Sequence, residues 1–503
     1  LRLGNGLKPP RAKAVTDHRT PKTGQRAPKS GLFKLAFQSL RRMQKRNTIL
    51  TSRQPSGFES EQFLKLTNMS GARTTPRIES IDQRFPHKVC ISLDRRLERW
   101  QHMQRKFDQH GIHSVRRFSA LDGDKLKLPA NWLHTPGAYG CLLSHLQVVR
   151  EAQQLGVPSV LVFEDDVVFD DQLEQKFSAG IEQLPADWDM LFFGAIHKEE
   201  PIKVADNIVR ITQAYSTYAY VMRNTMFDDF IKLNRKTEQE LDNNSFVLQQ
   251  RFNCYCFMPH LAWVEPDYSD AQQRLVDHWY LRESLVLFGS HVDFLLNQTT
   301  IVFAHGDHGG VERNLENLMY LVHYYHKFFL SYIAIVIVEQ GAQTTINPAT
   351  LPSNCKYVFL QDEGPFDRKR CFMKGISQLE PSRKFVILSD NNVYLDTLDI
   401  RANLRMCEQY DYVTGFSELV DLSKEDTHRL RTTKLPRGID ITKSNSPDNE
   451  REGYCRFLNR DALQLLKRSR EQGAEASLLL SLPAQRSVRV FQSPNSALRL
   501  AED

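Results

Sequence analysis

Twice along this chain a short, β-branched apolar run ends in acids. Ser159-Val-Leu-Val-Phe163 runs into Glu164-Asp165-Asp166, and Lys384-Phe-Val-Ile-Leu388 runs into Ser389-Asp390. Such runs are too short for buried helices and read as strands covered on both faces. Helical patterns lie between them. Leu97, Trp100, Met103 and Phe107 are spaced by three and four residues, which predicts a helix from Asp94 to about Gly111. A second helix is expected from Gly140 to Leu155, stopped by Gly156. Lys88–Leu93, Arg117-Phe118 and Asp189–Gly194 read as further strands. The theme returns with strands at Ile301–Ala304, Tyr332–Val338 and Tyr357–Leu360 and a helix at Glu312–Phe328. Strands alternating with helices predict an α/β fold with mostly parallel sheets. Two such units are expected, over residues 85–296 and 297–503, and the last ~30 residues show no closing element.

Charge separates a tail from this body. Residues 1–58 hold 14 Lys and Arg against one acid, Asp17, whereas the remainder holds 52 against 59. The net charge of +6 therefore belongs to the tail, and a basic body tracking a nucleic-acid backbone is disfavoured. Residues 1–84 read as a basic, largely disordered tail. Within it, Phe33, Phe37, Leu40 and Met43 mark an amphipathic helix over 31–46 that could rest on an anionic membrane surface. The apolar run Phe328–Val338 is too short to span a bilayer and reads as a buried strand. Eight scattered cysteines, none in a CxxC pair, argue against a disulfide scaffold or a zinc ribbon and suggest buried thiols in a reducing compartment. The expected location is the cytoplasm, with a membrane-surface contact through 31–46. Sequons at Asn68, Asn243 and Asn297 keep a secretory route open.

The acids carry the chemistry. In open α/β sheets ligands bind beyond the carboxyl ends of strands, where Glu164, Asp165 and Asp166 fall. Three adjacent carboxylates repel one another and need a cation or several donors. A hard divalent metal held by one or two of these carboxylates meets that need and leaves room for a diphosphate; the plainer reading is an acidic turn. Ser92-Leu93 followed by Arg95, Arg96 and Arg99 sets arginines at the start of a helix, where a phosphate-bearing ligand could sit. The plainer reading there is a surface helix with internal ion pairs. Gly137 and Gly140, ahead of Ser144 and His145, permit close approach of backbone to a ligand.

The order Ile91-Ser-Leu-Asp-Arg-Arg-Leu-Glu-Arg-Trp100, Arg117-Phe-Ser-Ala-Leu-Asp122-Gly123, Gly137-x-x-Gly-Cys-Leu-Leu-Ser-His145 and Val160-Leu-Val-Phe-Glu-Asp-Asp-Val167 closely resembles glycosyltransferase family 25. That family includes bacterial lipopolysaccharide glycosyltransferases and collagen hydroxylysine galactosyltransferases. Asp187-Trp-Asp189, Tyr215-Ser-Thr-Tyr-Ala-Tyr220, Leu241-Asp242 and Tyr268-Ser-Asp270 also resemble its segments, with Ser216 and Thr217 departing from its pattern. The resemblance covers roughly residues 86–292. It implies a GT-A fold, a UDP-sugar donor, a divalent metal (manganese or magnesium) and an inverting displacement. By the same resemblance Glu164 and Asp166 stand in the metal positions. Asp165 joins Ser92, Leu93, the three arginines, Asp122, Gly123, Gly137, Gly140, Ser144 and His145 as the donor-binding set. Asp242, Asp270 and Asp277 are the candidates to accept the acceptor's proton.

The second unit is similar, more weakly, to β-1,4-galactosyltransferase-like GT-A domains, through Arg313-Asn-Leu, Pro365-Phe-Asp-Arg368 and Leu388-Ser-Asp390. Where those enzymes present two aspartates, this chain has Asp390-Asn391-Asn392, and Asn392 offers a neutral oxygen only. The expected function is metal-dependent transfer of a hexose, galactose or glucose, from a UDP-sugar to a hydroxyl of a glycan, lipid-linked or protein acceptor. A bifunctional transferase, a non-catalytic sugar- or nucleotide-binding protein, and a nucleotidyltransferase or phosphohydrolase are the rival expectations.

Overall fold

The computed structural model describes residues 80–306, 311–330, 332–433, 454–471, 482–484, 488–494 and 496–500. The expected tail, with its helix at 31–46, lies outside the described residues up to residue 79. Strand β1 (Lys88–Ser92) is buried along its whole length. Helix α1 (Leu97–Gln109) follows a short 3-10 turn at Asp94–Arg96 and seats Met103 and Phe107 in the core. Then come β2 (Val115–Ser119), α2 (Pro136–Gln154), β3 (Ser159–Glu164), β4 (Met190–Phe192), β5 (Ile202–Lys203), β6 (Ile208–Arg210), β7 (Ala219–Arg223), α3 (Leu241–Gln249) and β8 (Cys254–Phe257). They build one sheet of order β2-β1-β3-β7-β4-β8-β6-β5. Strands β2, β1 and β3 run parallel, β7 enters antiparallel between β3 and β4, and β8 returns parallel to β4.

After α4 (Ser290–Asn297) the arrangement repeats. Strands β9 (Thr299–Gly306), β10 (Ala334–Gly341), β11 (Cys355–Gln361), β12 (Phe385–Asp390), β13 (Tyr412–Thr414), β14 (Cys455–Leu458) and β15 (Val490–Gln492) form a sheet of order β11-β10-β9-β12-β14-β13-β15. Helix α5 (Val311–Phe329) links β9 to β10, α6 (Arg368–Ile376) precedes β12, and α7 (Thr397–Met406) precedes β13. As in the first sheet, the acid-ending strand has a parallel neighbour on one side and an antiparallel one on the other. The likeness reaches single hydrogen bonds. The Glu164 N–H donates to the Tyr218 carbonyl at 2.7 Å and the Asp390 N–H to the Tyr454 carbonyl at 2.8 Å. One turn later the Asp166 carbonyl accepts from the Glu265 N–H (2.8 Å), and the Asn392 carbonyl from the Leu500 N–H (2.9 Å). Glu164-Asp165-Asp166 and Asp390-Asn391-Asn392 are therefore equivalent turns in two copies of one architecture.

The α/β class expected from the alternation is the one observed, and the parallel-rich sheets also take in antiparallel strands. Two expectations need correction. Helix α2 starts four residues before Gly140, because Thr135 caps it, accepting from the Ala138 N–H at 3.0 Å, and Pro136 opens its first turn. The C-terminal stretch does close the fold: β15 pairs with β13, and Ser496–Arg499 lies between Val393-Tyr394 and Glu418–Asp421. These strands are only three and four residues long and carry too few apolar residues to show a pattern.

Residues 76–503 form one compact unit. A continuous buried cluster passes from the first sheet, through Trp279, Leu287 and Leu296, to Ile400, Leu404 and the second sheet. Trp279 packs on Phe491 with ring centres 5.7 Å apart, its indole N–H lies 3.3 Å from Asp399, and His291 meets Glu408 at 2.7 Å. Among the described residues no helix is long and apolar enough to cross a membrane.

Candidate active site

A cleft opens beyond the carboxyl ends of β1 and β3. Most of the residues singled out from sequence line it: Leu93, Arg95 and Arg99 from one side, Asp122 and Gly123 from the loop after β2, Gly137, Gly140, Ser144 and His145 from α2. Glu164, Asp165 and Asp166 form its floor, and Asp270 reaches it from the hairpin Asp267–Val276. Arg96 faces the adjoining hollow, with Asp267. Ser92 is buried at the end of β1, its hydroxyl directed at Asp165 without hydrogen-bond alignment. Asp242 and Asp277 are not among the lining residues.

Arg99 is the cation around which the acids gather. Its guanidinium lies 3.3 Å from Asp165, 3.6 Å from Asp166 and 2.6 Å from Asp267, and it donates to the Tyr268 carbonyl at 2.9 Å. Burial works to lower its pKa, but the surrounding charges of Asp166, Asp267 and Asp165 outweigh it and hold the pKa above the ordinary value. Arg95 bridges Asp122 (3.3 Å) and Asp270 (2.7 Å), and Arg96 joins Asp267 (2.9 Å) to Asp270 (3.5 Å). The plainer reading of a helix with only internal ion pairs thus fails. One such pair exists, Arg96 with Glu98 at 2.8 Å, but all three arginines reach across to the hairpin or its neighbours.

The acids themselves are uncompensated in part. Burial, then the neighbouring Glu164 charge, pushes the Asp166 carboxyl up, against the pull of Arg99. Burial likewise raises Asp165, opposed by Ser92 and Arg99. Asp166 Oδ1 is buried with no hydrogen-bonding partner among the described residues. An orphaned carboxylate oxygen beside two further acids fits a hard divalent cation taking oxygen ligands from Glu164 and Asp166. Cys141, His145 and Glu164 also bring ligand atoms within 4.8 Å of one another.

His145 and Ser144 hold the floor in place. His145 Nδ1 lies 3.0 Å from the Tyr220 hydroxyl, and Nε2 lies 3.3 Å from Glu164 Oε1, out of hydrogen-bond alignment. Ser144 donates to the Gly140 carbonyl at 2.7 Å and accepts from the Leu121 N–H at 2.8 Å. The glycines do something other than expected. A Cβ on Gly137 would sit 1.8 Å from the Asp270 carbonyl oxygen, and one on Gly140 would sit 2.2 Å from that of Leu121. The close approach they allow here is between loops of this chain, so they seat the hairpin and the Asp122 loop on α2 while still lining the cleft.

Asp242, on the first turn of α3, accepts from the Ser216 N–H at 3.2 Å. Burial pushes its pKa up to about 7, with Glu164 and Glu240 adding to the rise. Ser216 holds a left-handed φ of 90°, which turns its N–H toward that carboxylate. Asp277 lies past the hairpin, raised by burial and steadied by the Trp279 N–H. Thr217 and Tyr220 belong to the Tyr215–Tyr220 segment singled out by resemblance, whereas Asp267 is an addition of the structure. Three arginines at 95, 96 and 99 were the available signal for Asp267, since acids were needed from elsewhere to answer them.

The equivalent turn of the second copy is built differently. Asp390 accepts an ion pair from Arg368 at 3.0 Å and the Tyr454 N–H at 2.9 Å, and the Asn391 amide meets His305 Nδ1 at 2.8 Å. Burial pushes Asp390 up to about 6, opposed first by Arg368. Asn392 joins the turn through its carbonyl. Arg313 lies on α5, and its side chain is outside what is described.

Residues 85–245 match the family model for glycosyltransferase family 25, described as an LPS biosynthesis protein family. A glycosyltransferase 25 family member of Drosophila pseudoobscura pseudoobscura is 31% identical over 159 residues, covering 27% of this chain and 25% of that protein. Human procollagen galactosyltransferase 2 is 29% identical over 174 residues, 28% of each. The human inactive glycosyltransferase 25 family member 3 is 32% identical over 96 residues, covering 18% of this chain and 16% of that one. The matched part is thus about a quarter or less of each relative's own length. With its ordered motifs and the acids of β3 inside the matched span, residues 85–245 of this chain are similar to glycosyltransferase family 25.

Proposed function

We propose that this chain is a metal-dependent, inverting glycosyltransferase that moves a hexose from a UDP-sugar to a hydroxyl of a glycan, lipid-linked or protein acceptor. The observation that carries the reading is the floor of the cleft. There three acids meet under one arginine, and one oxygen of Asp166 is buried without a partner. Glu164 and Asp166 would hold the cation, manganese or magnesium, which when bound supplies Lewis acidity and charge compensation toward a diphosphate. Galactose is the sugar that the human relative's name suggests.

The chain's own groups do the rest. Arg95, Arg96 and Arg99 are paired to aspartates that a diphosphate can replace as partner, so they bind and orient the donor. In a single displacement the acceptor oxygen forms a bond to C1 as the bond from C1 to the diphosphate oxygen breaks. The electron pair leaves with the nucleoside diphosphate, and the acceptor's proton passes to a carboxylate. Asp242 is the candidate for that last role: it holds the Ser216 N–H next to Thr217, whose hydroxyl reaches Glu164 on the floor, and burial pushes its pKa up to about 7. Asp270 suits it less, being committed to two arginines. The second copy reads as non-catalytic, because Arg368 already answers its one acid.

The test is release of UDP by the purified chain from a panel of UDP-sugars with manganese and simple acceptors. Acceptor-stimulated release that stops with chelator, and that Asp166→Asn abolishes without loss of fold, is the expected result. Full turnover in excess chelator, or binding of UDP-sugars with no turnover on any acceptor, overturns the proposal.

A further inference from the structure

Outside the residues that line the cleft, three metal-ligating side chains converge in the interior. His197 lies on the short strand Ile196-His197, Cys256 on β8, and His260 just beyond β8. Their ligand atoms all fall within 4.8 Å of one another. None is more than 1% exposed. The two imidazole rings stand 5.8 Å apart, centre to centre.

The hydrogen bonding of this cluster is incomplete. His260 Nδ1 is satisfied by the Leu281 carbonyl at 2.9 Å, which leaves Nε2 as its free face. That Nε2 and both nitrogens of His197 are buried with no hydrogen-bonding partner among the described residues. An imidazole orphaned at both nitrogens in a sealed interior is destabilising, and such groups are rare in folded proteins. A hydrogen bond from one ring nitrogen to a carbonyl, with the other nitrogen turned to a shared point, is the arrangement seen in metal-bound histidines.

We propose that His197, Cys256 and His260 form a structural zinc site. Two imidazoles and one thiolate are a borderline-soft donor set that zinc takes. A neutral imidazole offers one ring-nitrogen lone pair, and with His260 Nδ1–H donated to the Leu281 carbonyl that lone pair is on Nε2. Binding replaces the Cys256 S–H bond with a sulfur–zinc bond and releases the proton to solvent. The site would tie the edge strand at Ile196-His197 to β8 and to the segment running into Ala262–Val264. That last strand pairs with Val167–Phe169, directly after the acids. Its role is therefore to brace the floor of the cleft from behind, apart from the oxygen-ligand cation that the proposed activity invokes.

The experiment measures metal on the full chain, purified from zinc-supplemented cells and washed with enough chelator to strip a carboxylate-bound manganese. About one zinc per chain is expected, falling at least about tenfold in Cys256→Ser and in His260→Gln. Unmutated chain produced with cobalt in place of zinc gives a second readout that does not depend on a variant folding. A near-ultraviolet thiolate-to-cobalt band should appear, persist in Cys141→Ser and vanish in Cys256→Ser. Zinc well below stoichiometry, zinc content unchanged by Cys256→Ser, or a cobalt chain without the band overturns the proposal. These readouts do not involve sugar transfer, so they stand or fall separately from the proposed activity.

Discussion

Replacing Asp242 with Asn should separate what this carboxylate does for transfer from what it costs the fold. Burial and the charges of Glu164 and Glu240 raise its pKa from 3.8 to about 7. A group whose pKa is raised on folding binds its proton more tightly in the native state. Its cost is absent below the unfolded value, grows as pH climbs from there, and is complete above about 7. The full linkage is at most about 4 kcal/mol at 1.4 kcal/mol per unit. The residue retains some solvent contact, so about 1–3 kcal/mol is the better expectation. Asn removes the charge and keeps an oxygen for the Ser216 N–H, 3.2 Å away. Asp242→Asn should therefore melt about 1–4 °C above the parent at pH 8, with the gap closing toward pH 5. Transfer should fall about 10²–10⁴-fold in the same variant, and the parent's rate should rise with pH through about 7. Paired melting curves and initial rates from pH 5 to 8 test both halves. A pH-independent change in melting, or a variant that transfers at near-parental rate, would refute the reasoning.

Arg99→Ala leaves Asp165, Asp166 and Asp267 without their shared cation, which should cost about 3 kcal/mol in a denaturant titration, partly restored by manganese. No loss would mean the acids are not repelling one another. Asp390→Asn keeps an acceptor for the Tyr454 N–H and releases Arg368, and it should leave most of the transfer rate intact; silencing of the chain would place chemistry in the second copy. A chain starting at Pro76 retains the whole compact unit and should still release UDP, so failure of that chain to fold would show that the removed residues are needed by the body.

What could be read from the sequence follows from how local its causes are. The strand at Ser159–Glu164 announces itself because four buried positions in a row select β-branched and aromatic residues, and its acids then fall at the strand end. The arginines at 95, 96 and 99 were visible, but their partners Asp267 and Asp270 lie about 170 residues downstream in the hairpin. Only the folded chain shows that a helix start and a hairpin tip face each other. Gly137 and Gly140 were recognised as positions of close approach, yet nothing local says whether a ligand or the Asp270 carbonyl fills the space. The trio His197, Cys256 and His260 was likewise beyond reach. Its members are separated in sequence, and a buried metal ligand has the same letter as a buried spectator.

The hydrophobic cluster that crosses from one sheet to the other gives the second copy a reason to persist after its acid is taken up by Arg368. Trp279 lies on the first copy's side and packs on Phe491 of the second, so neither copy's surface is finished without the other. Substitutions in α7 or β15 therefore have a route to the cleft that involves no substrate. They loosen the packing beneath Trp279, and with it the chain that leads back to the hairpin and its aspartates. The second copy then serves as scaffolding for the first, whether or not it turns over a substrate of its own.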